Sequence, residues 1–370
     1  MNIVVIGGGA SGIACAIKTK LNNPDCSVTV LEHLDEPCKK IFATGNGRCN
    51  ITNKYAPGFE TTKNFFESIG LVLRESEDGR MYPYSNQASS VVETLVSNCR
   101  KLNINIVTSC TVKSAEKTAE TFSVFTDKGV FSGDVLVLAT GGKAQSALGS
   151  DGSGYSLAQT FGHKISALSP ALVQLKSPNK NCRALKGIRA KCLVKLVIGD
   201  EIAKEEFGEV LFTDYGLSGI VVMNLSHLVC DEKIKNDNQR YSAVIDFVPE
   251  MTEEELLSHY KKFGNFEGIL PLKLCTVLSR QAEGNEEKMA KYIKNWRLII
   301  SGTKGYEYAQ ITKGGIEKDE LDESFQSKLC DNLYIIGELT DNQFPCGGFN
   351  LDFAWSSGVK AANKIAEQRE

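Results

Sequence analysis

Apolar and polar positions near the N-terminus predict a strand, a helix and a second strand. Ile3 to Ile6 form a short apolar run that is typical of a buried strand. Ile13, Ala14 and Ile17 then recur at helical spacing, and Ser27 to Leu31 predicts another buried strand. A helix between two short buried strands is the pattern of a parallel α/β sheet, so we expect the chain to begin with such a unit.

Glycines join the first strand to the helix at the spacing GxGxxG, from Gly7 to Gly12. The first permits a tight turn, the second lets the backbone approach a pyrophosphate, and the third lets the helix pack on the strand. The N-terminal amides of the helix then face the phosphates. Glu32 lies 20 residues past Gly12, where an acid can accept hydrogen bonds from the adenosine ribose. The turn predicts a dinucleotide site, with His33 at its adenosine end.

The far end of the chain decides between FAD and NAD, which share this turn. After a predicted strand at Asn332 to Ile336, the chain reads GELTD from Gly337 to Asp341 and PCGGFNLDFAWSSG from Pro345 to Gly358. A chain that returns with a second glycine turn and helix start covers a longer cofactor than NAD. One helix can hold the pyrophosphate while the other points at a flavin ring. We therefore expect FAD.

A further apolar run, Val135 to Thr140, precedes Gly141 and Gly142. We interpret it as a buried strand whose small-residue turn closes the sheet over the nucleotide. A simple strand and turn without a binding role is the alternative.

These segments resemble a bacterial flavoprotein family. Two further segments carry the same likeness, CKKIFATGNGRCNITN from Cys38 to Asn53 and ITKGGIEKDEL from Ile311 to Leu321. That family has long been labelled NAD(FAD)-utilizing dehydrogenases and includes aminoacetone-oxidase-like enzymes and 3-dehydro-bile acid Δ4,6-reductases. The likeness covers almost the whole chain. It implies an α/β protein with a glutathione-reductase-like FAD/NAD(P)-binding fold, a ββα three-layer sandwich, into which a β-barrel and a small helical domain are inserted.

The resemblance implies three domains built from five segments. Residues 1–168 and 319–370 form the FAD-binding domain, 169–250 with 303–318 form the β-barrel insert, and 251–302 form the small helical domain. The pattern is compatible with this plan, since it predicts short strands and helices in the insert. The strands are Lys191 to Ile198, Tyr241 to Val248 and Tyr306 to Thr312; the helices are one opened by a capping box of Thr252 and Glu255, and one from Glu283 to Trp296.

The resemblance also implies which residues approach the cofactor. Lys39, Lys40, Thr44 and Gly45 pass along the pyrophosphate and ribityl side, and Asn46, Arg48 and Asn50 lie near the flavin. Asp341 takes the ribityl hydroxyls, and Gly347 to Leu351 place backbone amides at the pyrimidine end of the ring. The full predicted FAD set is Gly7, Gly9, Ala10, Ser11, Gly12, Glu32, His33, Lys39, Lys40, Thr44, Gly45, Asn46, Arg48, Val112, Thr140, Gly141, Gly142, Gly337, Glu338, Asp341, Gly347, Gly348, Phe349, Asn350 and Leu351.

Two segments depart from the family pattern. Phe325 to Lys328 reads FQSK where relatives often carry MESK, and Asn342 to Phe344 replaces a frequent acid and glycine. Both segments lie close to the predicted cofactor approach. The substrate therefore cannot be copied from a relative.

Candidate catalytic residues are Arg48, Tyr82 and Cys346. The sequence has no Ser/His/Asp nucleophile signature, and Tyr82 and the nearby Tyr84 have packing as the alternative role. Cys346 precedes the flavin-facing glycines but lacks a CxxC partner. His163, His227 and His259 are expected to be structural.

The function these residues predict is an FAD-dependent oxidoreductase that transfers hydride through flavin N5. A small organic or steroid-like substrate is expected, with either enone reduction by NAD(P)H or amine oxidation by O2. Because there is no second GxGxxG for a separate NAD domain, NADH or NADPH would dock transiently at the flavin. A non-catalytic flavin or dinucleotide sensor is the alternative.

Composition and charge limit the classes of partner that we expect. The 370 residues carry a formal net charge of -3, and the pI is near 6.0, so neither nucleic acid nor an anionic membrane is expected, and an RNA-modifying role is disfavoured. Twelve cysteines without metal-ligand spacing indicate buried thiols in a reducing compartment and no metal site. We expect a cytoplasmic monomer or homodimer without a membrane span.

Overall fold

The computed structural model describes residues 1–367, and the chain folds into two compact units. The first unit combines Met1–Leu168 with the segment that starts at Ile311, and the second consists of Ser169–Gln310. The break after Leu168 lies where the sequence predicted the end of the first FAD-binding segment. The chain returns at Ile311, so residues 311–318, predicted to belong to the barrel, belong to the first unit instead.

Strands and helices alternate through the first segment of the first unit. Its strands are β1 (Asn2–Ile6), β2 (Ser27–Leu31), β3 (Thr52–Asn53), β4 (Leu73–Glu75), β5 (Arg80–Pro83), β6 (Asn105–Val107), β7 (Val112–Thr118), β8 (Thr121–Thr126), β9 (Gly129–Gly133) and β10 (Val135–Leu138). Its helices are α1 (Ala10–Asn22), α2 (Lys39–Ala43), α3 (Phe59–Ser68), α4 (Ala88–Lys101) and α5 (Ser153–Thr160).

The second unit and the final segment carry the remaining elements. The strands of the second unit are β11 (Ser169–Ala171), β12 (Leu175–Lys176), β13 (Arg189–Ile198), β14 (Glu201–Phe212), β15 (Gly216–Ser218), β16 (Tyr241–Asp246), β17 (Trp296–Ile300) and β18 (Gly302–Thr303). Its helices are α6 (Lys180–Ala184), α7 (Ile220–Ser226), α8 (Asp231–Asn236), α9 (Glu253–Phe263), α10 (Leu272–Gln281) and α11 (Glu286–Lys294). The final segment contains β19 (Ile311–Lys313), β20 (Leu333–Ile335) and α12 (Phe349–Glu367). Among residues 1–367, no helix has the length and apolar character to cross a bilayer.

A five-stranded parallel sheet forms the centre of the first unit, in the order β20-β10-β1-β2-β6. Val5 on β1 lies between Val30 on β2 and Val137 on β10. The predicted strands at Ile3, Ser27, Val135 and Asn332 are confirmed, with ends that differ by no more than two residues. Parallel strands are buried on both faces, which explains their continuous apolar runs.

The two faces of this sheet belong to different cores. Ile3 and Val5 point into a core shared with α1, α4 and α12. Val4 and Ile6 point the other way, into a core with Phe122 of the antiparallel β7-β8-β9 sheet. The unit therefore has three layers, helices over a parallel sheet over an antiparallel sheet. This is the layer order expected from the resemblance.

A seven-stranded antiparallel sheet forms the second unit, in the order β17-β16-β13-β14-β15-β12-β18. The predicted strands at Lys191 to Ile198 and Tyr241 to Val248 correspond to β13 and β16. The long β14 was not predicted, because most of its side chains are exposed and its alternation is masked by charged residues. Closure of the sheet into a barrel stays a prediction.

The predicted helical domain, 251–302, extends too far. The last of the three helices in this segment, α11, ends at Lys294. Trp296–Ile300 then joins the antiparallel sheet as β17. The predicted helix from Glu283 to Trp296 is therefore wrong at its end. Buried and exposed residues alternate from Trp296 to Ile300, which is the period of a strand. Trp296 is fully buried, and its indole Nε1 donates to Gln281 Oε1 at 3.0 Å.

The strand predicted from Tyr306 to Thr312 is mostly absent. Tyr306–Tyr308 forms a single 3₁₀ turn, and only Ile311–Lys313 is extended as β19. Gly305 has a φ of 82°, which turns the chain before the aromatic residues. The apolar spacing in this segment therefore reflects a turn followed by a short strand.

The capping box at the start of α9 is present as predicted. The Glu255 amide donates to Thr252 Oγ1 at 3.2 Å, and the Thr252 amide donates to Glu255 Oε2 at 2.8 Å. Both bonds satisfy amides that the first turn of a helix otherwise leaves without partners.

Replacing Thr252 with alanine removes this cap, and we expect a loss of about 1 kcal/mol in the free energy of unfolding. The midpoint of thermal unfolding should fall by roughly 2–4 °C. Calorimetry on the wild type and on Thr252→Ala measures the change. Ser258→Ala, at an exposed position within the same helix, is the control and should not lower the midpoint, because alanine is the better helix former. Equal midpoints for Thr252→Ala and Ser258→Ala would contradict the cap.

Candidate active site

The glycine turn between β1 and α1 combines two tightly packed positions with one open position. A Cβ at Gly7 would lie 2.4 Å from the Ala139 carbonyl oxygen, and one at Gly12 would lie 2.0 Å from the Gly7 carbonyl oxygen. No atom lies within 4 Å of a Cβ built at Gly9. The free space over Gly9, at the N-terminus of α1, fits a pyrophosphate that approaches the backbone. Ala10 and Ser11 begin the helix beneath it.

Glu32 is held at the end of β2 by backbone amides. The Gly8 amide donates to Glu32 Oε2 and the Leu34 amide to Oε1, both at 2.8 Å. The carboxylate is 7% exposed, and His33 Nδ1 lies 3.5 Å from Oε1. Two fixed donors orient the carboxylate and leave lone pairs for the ribose hydroxyls. Val112, predicted to bind the cofactor, packs against the core that contains Leu31.

The first and last helices of the chain meet beside this turn. A Cβ at Gly358 on α12 would lie 2.4 Å from the Ser11 carbonyl oxygen of α1. A Cβ at Gly337 would lie 2.5 Å from Ser11 Oγ, and the Gly337 amide donates to Ser357 Oγ at 3.1 Å. Glycine at these positions therefore lets α12 and the segment after β20 approach the start of α1 closely.

The loop after α2 carries a run of left-handed residues. Gly45 and Asn46 have φ values of 57° and 55°, and Thr44 Oγ1 donates to the Ile41 carbonyl oxygen at 2.7 Å. A Cβ at Gly45 would lie 2.8 Å from the Asn50 amide nitrogen. Left-handed backbone at Asn46 is costly and is concentrated at functional sites. The resemblance predicts that this loop lies near the flavin.

Asn50 has a buried acceptor without a partner. Its Oδ1 makes no hydrogen bond within residues 1–367, and the residue is 9% exposed. It lies beside Gly348, where an added Cβ would be 3.0 Å away. An unpaired buried acceptor costs free energy. A ligand bound here could satisfy this oxygen with a hydrogen-bond donor. Together with the space over Gly9, this atom supports the fit of FAD to the site.

The second glycine turn, before α12, is held closed by side chains. Gly347 and Gly348 have φ values of 118° and 101°, and a Cβ at Gly348 would lie 2.7 Å from the Thr52 carbonyl oxygen. Asn350 Oδ1 accepts from the Phe344 amide at 2.9 Å, and its Nδ2 donates to the Phe344 carbonyl oxygen at 2.8 Å. The Asn350 side chain therefore shapes the loop, while Phe349 and Leu351 contribute the first turn of the helix.

Asp352, one turn into α12, was missed by the sequence reasoning. It is 1% exposed, accepts from Thr52 Oγ1 at 2.6 Å, and accepts from the Gly58 amide at 2.9 Å. Burial raises the pKa of this carboxyl above its ordinary value, against the hydrogen bonds from Thr52 and Thr62. Its partners lie far away in sequence, so no local pattern could have revealed it.

Lys40 and Glu338 are paired with each other. Lys40 Nζ lies 2.8 Å from Glu338 Oε2, and the Thr312 amide donates to Glu338 Oε1 at 2.9 Å. A Cβ at Gly142 would lie 2.5 Å from Thr312 Oγ1. This network joins α2 to the segment after β20. By contrast, Lys39 is paired with Asp35 at the surface.

Asp341 and the turn after β10 also contact neighbouring residues of the first unit. Asp341 accepts from Ser166 Oγ at 2.8 Å and from Gln343 Nε2 at 2.5 Å. Thr140 packs so closely on α5 that a Cβ at Gly154 would lie 1.8 Å from Thr140 Oγ1, and Gly141 has a φ of 73°. The carboxylate of Asp341 is thus oriented by polar neighbours.

The catalytic candidates are placed differently from one another. Arg48 stacks over Tyr82 with its Cζ 4.5 Å from the ring centroid, and Arg48 Nη2 lies 3.3 Å from the Tyr82 hydroxyl. Tyr82 is 7% exposed and contacts the loop, since a Cβ at Gly45 would lie 3.3 Å from its ring. Tyr84 is 61% exposed. Cys346 is half-buried.

Among the three histidines expected to be structural, His163 makes contacts through both of its ring nitrogens. The ring of buried His163 lies between Glu320 and Ser327, with Nδ1 3.0 Å from Glu320 Oε2 and Nε2 2.8 Å from Ser327 Oγ. This arrangement ties the strand region before β20 together. A structural role for His163 stays a prediction.

The turn at Gly9, the carboxylate of Glu32 and the second glycine turn before α12 define a dinucleotide-binding protein with a Rossmann-type fold. Residues 1–364 match the family model described as HI0933-like protein Rossmann domain. The chain belongs to this family, and the membership expected from its motifs is confirmed. It is an enzyme of the FAD-dependent oxidoreductase class.

Relatives resemble the chain along its whole length. The 3-dehydro-bile acid delta(4,6)-reductase of Clostridium scindens is 34% identical, with 99% of each chain covered. The ribosomal RNA dihydrouridine synthases of Haemophilus influenzae and Escherichia coli are 27% and 25% identical. Those two alignments cover 99% and 98% of this chain and 98% and 97% of the relatives.

Two solved structures share the fold at low identity. The 3-ketosteroid delta1-dehydrogenase of Sterolibacterium denitrificans has a TM-score of 0.53 and 12% identity, with 99% of each chain covered. The 3-ketosteroid-delta4-(5alpha)-dehydrogenase of Rhodococcus jostii has a TM-score of 0.52 and 13% identity, with 97% of this chain and 96% of that chain covered. At these identities the likeness establishes the fold alone.

Gly9 and Gly12 should respond differently to alanine. Gly9→Ala meets no neighbouring atom in the protein, so the chain should fold but lose bound FAD, because the methyl group takes the space of the pyrophosphate. Gly12→Ala drives a Cβ into the Gly7 carbonyl and should lower the unfolding temperature as well. Flavin absorbance per chain and thermal unfolding measure the two effects.

Gly268→Ala, also free of neighbours and outside the first unit, is the matched control and should keep both flavin and stability. Full retention of FAD by Gly9→Ala would contradict the placement of the pyrophosphate.

Asp352 should make stability depend on pH. Because burial raises its pKa in the folded protein, the folded state holds the proton more tightly than the unfolded chain, so ionisation lowers stability. The free energy of unfolding should fall as the pH rises from about 4, the ordinary value, through the raised folded value. Asp352→Asn removes this dependence. Urea unfolding of both proteins across this range measures it, and parallel curves would contradict it.

Proposed function

We propose that the chain reduces a carbon–carbon double bond conjugated to a carbonyl group in a small organic substrate. Hydride would pass through N5 of bound FAD, with NADH or NADPH as the reductant. The observation that carries this proposal is the relative named 3-dehydro-bile acid delta(4,6)-reductase, at 34% identity over 99% of both chains. A steroid-like enone is therefore the substrate class to test.

Residues of the first unit bind and orient the cofactor in this proposal. The turn at Gly7, Gly9 and Gly12 binds the pyrophosphate, and Glu32 binds the adenosine ribose. The first turn of α12, after Gly348, stabilises negative charge at the pyrimidine end through its amides and dipole. Bound FAD supplies the hydride chemistry. Asn50 Oδ1, buried without a partner among residues 1–367, accepts a hydrogen bond from the cofactor.

Tyr82 is the proton donor that we assign. When hydride reaches the β-carbon of an enone, the α-carbon must receive a proton. The Tyr82 hydroxyl lies 3.3 Å from Arg48 Nη2, and the guanidinium stabilises the negative charge that develops on the oxygen as the proton leaves. Its ring packs on the Gly45 loop, which lies beside Asn50 and therefore close to the proposed flavin position.

Reduction of uracil in ribosomal RNA is the second candidate. Two relatives named ribosomal RNA dihydrouridine synthase are 27% and 25% identical over nearly the whole chain. Dihydrouridine is uridine reduced at the double bond conjugated to C4=O, so both candidates use the same reaction on different substrates. The formal net charge of -3 favours the small molecule, because RNA binding relies on clustered positive charge.

Anaerobic stopped-flow spectroscopy tests the proposal. NADH or NADPH should bleach the flavin, and a 3-keto steroid enone should restore its colour. Tyr82→Phe should slow the second step by roughly 10²- to 10⁴-fold, as expected for loss of a general acid, while the bleaching rate stays unchanged. Recolouring by unmodified ribosomal RNA in place of the enone would favour the second candidate.

Two other outcomes contradict both reductase candidates. Bleaching by amines alone, with colour restored only by O2, would identify an amine oxidase. A flavin that no reductant bleaches would favour a sensor. Gly9→Ala, expected to lack FAD, is the control for non-enzymatic reduction.

A further inference from the structure

A recess opens on the surface of the first unit beside Tyr82. Its lining includes Arg48, Arg74, Glu75, Ser76, Tyr82 and Asn86. Two of these side chains are guanidinium groups and two more, Ser76 and Asn86, offer neutral hydrogen-bonding atoms. The recess therefore offers several hydrogen-bond donors.

Both arginines stack on tyrosine rings. The Cζ of Arg48 lies 4.5 Å from the centroid of Tyr82, and the Cζ of Arg74 lies 3.8 Å from the centroid of Tyr84. Stacking of this kind occupies a face of the guanidinium and leaves its N–H edge for hydrogen bonds. It also restricts the side chain, which lowers the entropy lost when a ligand binds.

The positive charge of the two arginines is not neutralised by the protein. Neither Arg48 nor Arg74 forms an ion pair with a carboxylate in the described part of the chain. The one carboxylate of the lining, Glu75, is paired with Lys54 Nζ at 2.5 Å. Two guanidinium groups without counter-ions therefore face one recess, an arrangement suited to carboxylate or phosphate.

The recess adjoins the proposed flavin position through a short chain of contacts. Tyr82 lines the recess, and its ring lies 3.3 Å from the position of a Gly45 Cβ. Gly45 packs against Asn50, and Asn50 packs against Gly348 at the start of α12. All of these residues belong to the first unit. A molecule that reaches the flavin beside this loop can therefore extend a charged group into the recess.

We propose that this recess binds the anionic group, a carboxylate or a phosphate, of the molecule that exchanges hydride with the flavin. The inference rests on the proposed function and narrows its substrate class to anions. Arg74 supplies charge and N–H donors, Arg48 joins the anion to the Tyr82 hydroxyl, and Asn86 adds an amide. The anion comes either from the side chain of the enone or from the pyridine nucleotide.

Arg74→Gln tests the assignment, because Arg74 is exposed and lies outside the proposed cofactor and proton-transfer groups. The probes are a 3-keto steroid enone with a side-chain carboxylate, its methyl ester, NADPH and NADH. Binding of each to the oxidised holoenzyme is followed by the change in flavin absorbance, with unreactive reduced-nicotinamide analogues of NADPH and NADH. Loss of a charge-assisted contact should weaken binding about 10- to 100-fold.

The pattern across probes identifies the source of the anion. Weaker binding of the carboxylate but not of its ester assigns the recess to the substrate. Weaker binding of the NADPH analogue but not of the NADH analogue assigns it to the 2′-phosphate, and equal weakening of both analogues assigns it to the pyrophosphate. Arg74→Lys should retain part of the affinity, since it keeps the charge but loses the planar fork.

Arg100→Gln is the matched control, because it removes an exposed arginine elsewhere in the same unit. Affinities in Arg74→Gln that equal those of Arg100→Gln for all four probes would overturn the inference. The binding readout does not require turnover. If an anion binds through Arg74 but does not recolour the reduced flavin, the anion site is supported. The proposed reduction is then contradicted.

Discussion

The arrangement of the first unit depends on one backbone contact between the two ends of the chain. Ser11 at the start of α1 faces Gly358 on α12 and Gly337 after β20, and at neither glycine is there room for a side chain. The contact packs the first turn of α1 against the middle of α12. The start of each helix can then serve a different part of a single long cofactor. Because the contact joins residues more than 300 positions apart, it cannot form until almost the whole chain is present.

A second set of long-range bonds fixes the angle at which α12 begins. The buried carboxylate of Asp352 accepts from Thr52 and Gly58, and the Trp355 indole donates to the Ile51 carbonyl oxygen at 3.2 Å. These bonds tie the helix start to the strand that follows the left-handed loop. Two hydrogen bonds and its place in the first turn, where a helix favours negative charge, offset only part of the cost of burying the carboxylate, because burial still raises its pKa. The loop near Asn46 and the turn at Gly348 are therefore positioned as one body.

Sequence reasoning succeeded where a feature is local. The glycine turn and β2 follow from spacing and periodicity within 31 residues, and the capping box of α9 follows from two residues. It failed where neighbours in space decide. Trp296–Ile300 alternates like a strand over only five residues, and this stretch is too short to be separated from the preceding helix by its pattern. The pairing of Lys40 with Glu338, 298 positions away, was not predicted, since no local pattern encodes such a partner.

Net charge is a poor guide to what the recess binds. A formal charge of -3 spread over 370 residues argues against a polyanion, which samples many side chains over a large surface. A single carboxylate or phosphate samples charge only within about one Debye length, roughly 8–10 Å in physiological salt. At the recess neither Arg48 nor Arg74 forms an ion pair with a carboxylate of the described chain, and Glu75 is paired with Lys54. The same balance that disfavours RNA therefore leaves the recess free to select a small anion, because the two kinds of partner respond to charge on different length scales.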